Sequence, residues 1–253
     1  SLKKNSGTVI IKHANPCGVS SNTSAFQSFI NAQASDPISA FGGIVACNFK
    51  INNKIASEMG KTFFEVILAK GFDKHALRIL KKKKNMRIID ISKFDYKSKI
   101  NCKFFNNSFL LQESDNLVFK KNYLKCVTKN KPSQKEFKDI EFAFRVCKYV
   151  KSNAIVIVKN NSTIGIGAGQ QNRLDSCKIA AEKARRFQQN NLRGSIAASD
   201  AFFPFADGIK TLINAGVKII VQPGGSIRDK EVIEVANKAK IKMVFTGVRH
   251  FNH

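Results

Sequence analysis

The sequence predicts an α/β fold, because short β-branched and apolar runs alternate with segments of helical periodicity along most of its 253 residues. A hydrophobic content of 43% supports a substantial core, in one large domain or in two of ordinary size. No run of about 18 apolar residues occurs, so we expect no membrane-spanning helix. The alternation favours a substantially parallel sheet with helices between its strands.

The first half of the chain alternates strands and helices up to about residue 150. We predict strands at 8–11, 43–49, 64–69 and 86–91, and helices at 23–34, from about 53, and at 72–82. Residues 93–128 are less regular. We predict an edge insertion of short strands and loops there, with apolar runs at 108–111 and 117–119.

A second series of alternating elements follows in the other half. Ser133 and Glu136 have the spacing of a capping box, which predicts the start of a helix that ends near Val150. We predict strands at 154–158, 163–165, 195–198, 217–222 and 242–246, and helices at 174–187, 207–215 and 229–239. The chain is therefore divided into two units, 1–150 and 151–253.

The net charge of +25 indicates an anionic partner. The run of four lysines at 81–84 is the best local support for nucleic acid, but it follows a helical pattern and is typical of a solvated helix C-terminus. The chain has no Trp and few Tyr, and its arginines do not alternate with aromatic residues. A small polyanionic ligand fits the charge equally well, and we expect no specific nucleic acid.

The six cysteines are scattered and form no C-x-x-C pair. This spacing indicates neither structural zinc nor a disulfide framework. Reduced thiols are typical of a cytoplasmic protein, which is the localisation that we expect.

The most informative feature is Lys12-His13, which ends the apolar run that begins at Thr8. Asn15-Pro16 follows and predicts a turn, so the pair should lie in a loop at the end of a strand. A histidine titrates near neutrality and can accept a proton, while a neighbouring lysine can neutralise a developing oxyanion. This pairing suits acyl or formyl transfer to an amine. The alternative is a buried structural histidine beside a solvated lysine.

Four further loops at predicted strand ends have unusual chemistry, and the first, at 35–43, precedes a strand. Residues 165–170 are rich in glycine, which permits a close backbone approach to a ligand, but they match neither G-x-G-x-x-G nor a P-loop. Residues 200–205 hold three phenylalanines, which suit a flat slot for a heterocycle or ordinary core packing. Backbone N–H groups at 222–227 could hold an anion.

A zinc deaminase is a competing hypothesis. Residues 13–15 and Pro16-Cys17 resemble the H-x-E and P-C-x-x-C signatures of that class. However, Asn15 stands in place of the glutamate that shuttles protons, and Ser20 stands where the second cysteine ligand belongs. We therefore expect no zinc and no zinc-dependent hydrolysis.

Taken together, these loops resemble the AICAR formyltransferase family, the transformylase part of bifunctional purine biosynthesis proteins; AICAR is 5-aminoimidazole-4-carboxamide ribonucleotide. The resemblance spans nearly the whole chain. Its segments are Lys12-His13 and residues 35–46, 151–154, 164–173, 199–207, 222–229 and 249–253. Because all of them occur in the same order, the resemblance is specific.

The resemblance implies a fold of two cytidine-deaminase-like three-layer αβα units without zinc. It implies transfer of a formyl group from 10-formyltetrahydrofolate, a co-substrate, to the 5-amino group of AICAR. It also implies a homodimer with its active site at the interface. The family's cyclohydrolase domain and the start of its transformylase have no counterpart in these residues, so we assign no cyclohydrolase activity. The alternative is a catalytically impaired, basic nucleic-acid-binding or scaffold protein.

Roles for nine residues also follow from the resemblance. His13 would deprotonate the amine of the nucleotide, and Lys12 would stabilise the transition state. Nucleotide contacts are implied for Asn153, Phe202 and Arg249, and folate contacts for Arg173, Asp207, Ser226 and Ile227; no residue is assigned to a metal. Ala206 departs from the family, which usually has arginine at that position.

Overall fold

The computed structural model describes residues 6–94, 100–117 and 123–253. Its strands are, in chain order, β1 (Ser6–Lys12), β2 (Asn15–Asn22), β3 (Gly43–Cys47), β4 (Phe64–Ala69), β5 (Arg87–Asp90), β6 (Ile100–Phe105), β7 (Ser108–Glu113), β8 (Lys125–Cys126), β9 (Ile155–Lys159), β10 (Ser162–Gly167), β11 (Ile196–Ser199), β12 (Ile219–Gln222) and β13 (Lys242–Phe245). Its helices are α1 (Ala25–Ser35), α2 (Pro37–Ala40), α3 (Asn53–Met59), α4 (Lys74–Leu80), α5 (Glu136–Cys147), α6 (Arg173–Leu192), α7 (Asp207–Ala215) and α8 (Asp229–Lys238). The predicted α/β class is confirmed.

Most of these strands form one mixed sheet in the order β5-β4-β3-β1-β2-β10-β9-β11-β12-β13-β8. Strands β3, β4 and β5 are parallel, as are β11, β12 and β13, whereas β1–β2 and β9–β10 are antiparallel hairpins. The expected parallel arrangement is therefore confined to the two outer parts of the sheet. Outwards from the centre, each half has the second hairpin strand, the first hairpin strand and then three parallel strands, and in the second half the antiparallel β8 follows.

The two halves meet where β2 pairs with β10, at Ser20 and Ser162. The hydroxyl oxygens of these serines are 2.8 Å apart. An ion pair forms a second link, because Lys183 Nζ of α6 lies 2.8 Å from Oδ2 of Asp36, the residue that precedes α2. The two halves are therefore linked both within the sheet and between their helices.

The loop predicted at Asn15-Pro16 is wrong, because both residues begin strand β2. The chain turns instead at His13 and Ala14, whose φ angles are 50° and 61°. The register of the β1–β2 ladder shifts between Ile10 and Ile11, because Cys17 of β2 is an extra residue between their partners Gly18 and Pro16. Pro16 itself cannot donate a hydrogen bond to the ladder. Lys12 and His13 therefore lie at the tip of a tight hairpin.

The glycine-rich stretch at 165–170 is only partly a loop, because β10 extends to Gly167. A β-carbon added at Gly165 would lie 2.1 Å from the carbonyl oxygen of Ala180, and one at Gly167 would lie 2.0 Å from that of Ser176. Both oxygens belong to α6, whose backbone packs directly on β10. These two glycines therefore permit the approach of a helix and not of a ligand.

In the second half, the sheet has helices on both faces. Alternate residues of β9 join different cores: Ile155 and Ile157 pack with α6, α7 and α8, whereas Val156 and Val158 pack with α5. This half therefore has three layers, helix, sheet and helix.

In the first half, α1, α3 and α4 cover one face of the sheet, around Phe29 and Phe64, whose ring centroids are 6.1 Å apart. On the opposite face Val9 and Ile11 are half-buried and Ile44 is exposed. Helix α5 adjoins this apolar face of the first half, because Phe142 and Val146 of that helix share a depression with Val9 and Ile11.

The predicted edge insertion contains the β6–β7 hairpin, which stands apart from the main sheet with its residues exposed. The strand expected at 108–111 is confirmed, whereas most of the run at 117–119 lies outside the described residues. The capping box is also confirmed, since Ser133 N–H donates to Glu136 Oε2 over 2.6 Å and Glu136 N–H donates to Ser133 Oγ over 3.4 Å. Among the described residues, no helix combines the length and the apolar character needed to cross a membrane.

Candidate active site

A pocket of about 620 Å³ lies where β11 ends and helices α6 and α7 begin. Five predicted site residues line it: Asn153, Arg173, Phe202, Asp207 and Arg249. Its volume is typical of sites that bind small molecules. The carboxyl ends of strands and the amino ends of helices are also where ligands usually bind in α/β proteins.

Beneath this pocket, Arg173 is buried in an ion pair. Its guanidinium contacts Asp200 Oδ1, and it donates to Ser199 Oγ and to Asn153 Oδ1, each over 2.8 Å. The side chain of Asp200 is 0% exposed and that of Arg173 is 8% exposed. Because a buried charge is costly unless it is paired, this ion pair fixes the floor of the pocket.

Asn153 is held in one orientation by its neighbours. Its Oδ1 accepts from Arg173, its Nδ2 donates to the carbonyl oxygen of Gln170 over 2.7 Å, and its own carbonyl oxygen accepts from Ser176 Oγ over 2.8 Å. Ser152 Oγ, one residue earlier, donates to Asp200 Oδ2 over 2.5 Å. Asp200 therefore organises the site, although sequence reasoning assigned it no role. A carboxylate among the apolar residues at 197–205 was the signal that could have found it.

The aromatic turn at 200–205 has both of the roles that its sequence allowed. All three phenylalanines line the pocket. Phe203 is 1% exposed and also belongs to the core of the second half. Arg228 lies over the ring of Phe205, with its guanidinium carbon 4.8 Å from the ring centroid. Asp207 starts α7 at the same wall.

The C-terminal residues form another wall of the pocket. Arg249 and Phe251 both line it, and the Arg249 guanidinium carbon lies 5.5 Å from the centroid of the Phe251 ring. The ring of His253 stacks on Phe251 at 5.5 Å. The carbonyl oxygen of Asn252 accepts from Ser152 N–H over 3.0 Å. This terminus is therefore tied to the segment before β9 that carries Asn153.

Lys12 and His13 lie outside this pocket within the described chain. His13 is exposed, and Lys12 is half-exposed with its Nζ donating to the carbonyl oxygen of Phe41 over 2.6 Å. Asn15 Oδ1, directly after the turn of the same hairpin, accepts from Lys151 N–H over 2.9 Å. The reading of His13 as a buried structural histidine is therefore wrong.

Ser226 and Ile227 also lie outside the pocket lining; Ser226 is half-buried, whereas Ile227 is exposed. Their loop adjoins the pocket wall through Arg228, which covers Phe205. The N–H of Gly225 donates to Asp229 Oδ2 over 2.7 Å, and the N–H of Arg228 donates to Ser226 Oγ over 3.2 Å. One donor of the expected anion site, the N–H of Gly225, is thus already occupied by a side chain.

The chemistry of Cys17 differs from that of a zinc ligand. Burial raises its pKa to about 11, and the negative charge of Asp36 acts in the same direction. Its thiol lies 3.5 Å from the carbonyl oxygen of Ile10 and donates to it. Zinc binds thiolates, which such a pKa disfavours. The described ranges also contain no group of three or more His, Cys, Asp or Glu side chains placed to hold a metal ion.

The fold and the pocket define an α/β protein with a small-molecule site that is part aromatic and part cationic. Residues 1–183 match the family described as the AICARFT/IMPCHase bienzyme. This match covers most of the 253 residues, so the chain belongs to that family.

The curated relatives that the chain matches include several called bifunctional purine biosynthesis protein PurH. The protein from Aquifex aeolicus is 46% identical over 244 residues, which cover 96% of this chain and 47% of the relative. The protein from Buchnera aphidicola subsp. Schizaphis graminum is 47% identical over 247 residues, with 97% and 47% covered. The chain therefore spans about half the length of the curated relatives it matches.

Proposed function

We propose that this chain transfers the formyl group of 10-formyltetrahydrofolate to the 5-amino group of AICAR, giving the formylated nucleotide and tetrahydrofolate. The observation that carries this proposal is the meeting of Asn153, Phe202 and Arg249 with Arg173 and Asp207 in one pocket. These residues come from distant parts of the sequence. Membership of the AICARFT/IMPCHase bienzyme family supports the same reaction.

The walls of the pocket suit a nucleotide with a flat base. Phe202 and Phe251 offer apolar ring surface for an imidazole or a pterin. Arg249 offers a fork of donors for a phosphate or a carboxamide oxygen, and the fixed amide of Asn153 offers a further polar contact. The net charge of +25 favours both an anionic nucleotide and an anionic folate.

In the proposed reaction, the amine nitrogen of AICAR bonds to the formyl carbon while the bond from that carbon to N10 of the folate breaks. The amine is a weak nucleophile because its lone pair is delocalised toward the carboxamide. His13 takes the proton that the amine loses, and N10 gains a proton as it leaves. Lys12 stabilises the negative charge on the formyl oxygen or on the departing nitrogen.

We further propose that the protein is a homodimer in which Lys12 and His13 of one protomer complete the pocket of its partner. Support comes from their position outside the pocket of their own chain. Large apolar side chains near them are also exposed, among them Ile38 at 56%, Phe41 at 58% and Ile44 at 39%. Exposed apolar surface of this kind is typical of an interface.

The repeated strand order of the two halves supports two cytidine-deaminase-like units. We assign them to 1–150 and 151–253, with β8 and α5 of the first unit packed on the second. The raised pKa of Cys17 supports units without zinc. If Ser226 and Ile227 contact the folate, as expected, 10-formyltetrahydrofolate binds beside Arg228 and Phe205. Cytoplasmic localisation follows from this biosynthetic role.

The decisive experiment measures tetrahydrofolate release from 10-formyltetrahydrofolate by the full-length protein, with and without AICAR. We expect release that depends on AICAR and saturates with it. Release that is independent of AICAR would contradict the proposal. No release, together with binding of nucleic acid that weakens steeply with salt, would favour the basic binding protein instead.

A further inference from the structure

We infer that His250 and Asp115 form a positioning pair that holds Arg249 and Phe251 against the pocket. The inference deepens the proposed function, on which its kinetic test rests. It assigns a role to the segment after the β6–β7 hairpin, which supplies Asp115. Neither His250 nor Asp115 lines the pocket, so the pair acts through its neighbours.

Exposure divides the C-terminal residues into two groups. His250 is 4% exposed, whereas Arg249 is exposed and Phe251 is 53% exposed. The two exposed residues flank the buried one directly in sequence and line the pocket. Fixing the buried imidazole therefore fixes the backbone from which both pocket side chains project.

Three contacts hold His250, two through its imidazole and one through its backbone. Its Nδ1 lies 2.5 Å from Asp115 Oδ2, and its ring centroid lies 4.7 Å from that of Phe144 in α5. The backbone N–H of His250 donates to the carbonyl oxygen of Asp200 over 3.0 Å. Asp200 also holds Arg173 through its carboxylate, so the two walls of the pocket share one anchor.

Asp115 is an acceptor in this contact. Partial burial raises its pKa, but the hydrogen bonds from His250 and from the Leu117 N–H, together with the charge of Lys148, outweigh this effect and lower the pKa below its ordinary value. Lys148 Nζ lies 3.3 Å from Asp115 Oδ1. An ionised carboxylate can only accept, so Nδ1 of His250 donates. This charge-assisted bond joins the insertion to the C-terminal wall.

The test uses two removals and one conservative replacement in the full-length protein. Asp115→Ala and His250→Phe each remove the bond, and the phenyl ring keeps the contact with Phe144. We expect KM for AICAR to rise about tenfold, while KM for the folate and kcat each change less than about threefold. His250→Asn keeps an N–H near the position of Nδ1 and should recover most of the loss. His75→Phe, at an exposed position on α4, is the matched control.

The two removals should not add, because each breaks the same bond. A readout without substrate is hydrogen exchange of the amides at 249–253, which Asp115→Ala should accelerate while leaving the exchange of β9 unchanged. Normal exchange at the terminus, or a normal KM for AICAR in Asp115→Ala, overturns the inference. The inference is also overturned if KM rises equally for AICAR and for the folate and His250→Asn does not restore it.

The proposed function fails separately. If the unaltered protein shows no AICAR-dependent release of tetrahydrofolate, the function is wrong, and hydrogen exchange still decides whether the pair holds the terminus. If the unaltered protein is active and the variants match it, only the positioning role is wrong.

Discussion

Arg173 and Asp200 form a buried ion pair directly beneath the candidate pocket, with the aspartate side chain 0% exposed. The pair connects the start of α6 to the end of β11. Arg173 also donates directly to the side-chain oxygen of Asn153. One interaction therefore contributes both to the stability of the second half and to the geometry of the site.

Removal of one partner should be far more harmful than removal of both. Asp200→Ala leaves the Arg173 guanidinium buried without its counter-charge, and we expect the free energy of unfolding to fall by about 3–5 kcal/mol. The double variant Asp200→Leu with Arg173→Met should recover part of this stability but not AICAR binding, because Asn153 loses a donor. Denaturant unfolding and AICAR titration measure the two effects. A double variant that is no more stable than Asp200→Ala would contradict this account.

His13→Ala should separate chemistry from folding. His13 is exposed at the tip of the β1–β2 hairpin, so its loss should leave the melting temperature unchanged. Loss of one general base typically lowers turnover by about 100- to 10,000-fold. Rates of tetrahydrofolate release from the full-length protein measure this, with His75→Ala as the exposed control. A variant that keeps more than about a third of the rate would remove His13 from the mechanism.

Lys12→Arg tests whether the role of the lysine goes beyond its charge. Arginine keeps the positive charge but has a planar head and does not readily give up a proton. We expect most of the turnover to be lost while the affinity for AICAR is largely kept. Separate measurement of kcat and of nucleotide Kd checks this. Equal losses in both would place Lys12 in a ground-state contact.

The sequence alone predicts the local elements of the fold well, because each depends on a pattern within a few residues. The apolar runs of β4 and β9 and the capping box of α5 are examples. The sequence does not predict strand β2, because Pro16 is a turn signal and nothing local shows that the chain has already turned at His13. The order of strands in the sheet is set by packing between halves, which no local pattern contains.

The candidate site divides in the same way. Lys12-His13 and the aromatic turn are visible as motifs, and resemblance to a family places Asn153 and Arg249. The contacts that hold the site are not local, since Arg173 and Asp200 are 27 residues apart and His250 and Asp115 are 135 apart. A pattern of residue types gives no sign of such pairs until the chain is folded.

Phe202 and Phe203 are adjacent in sequence but should differ in what they contribute. Phe202 lines the pocket and is half-buried, so Phe202→Ala should weaken AICAR or folate binding by about 1–3 kcal/mol with little loss of stability. Phe203 is 1% exposed in the core, so Phe203→Ala should lower the free energy of unfolding by about 3–5 kcal/mol. Michaelis constants and urea unfolding of both variants check the division. Unchanged Michaelis constants in Phe202→Ala would show that Phe202 contributes to packing and not to substrate binding.

The Asp36–Lys183 ion pair should make the junction of the two halves sensitive to acid. Burial raises the pKa of Asp36, but hydrogen bonds from Lys183 and Ser39 outweigh it and lower the pKa below its ordinary value of 3.8. A carboxylate whose pKa is depressed by folding stabilises the protein above its unfolded pKa, and this contribution is lost as the pH falls through the folded pKa. Asp36→Asn should therefore be less stable than the unaltered protein at neutral pH, and the difference should shrink below about pH 4. Lys183→Met removes the other member of the ion pair. Its difference in stability from the unaltered protein should shrink over the same pH range. Unfolding curves measured from pH 7 to pH 3 test this, and a difference that stays constant across that range would show that Asp36 contributes through packing and not through its charge.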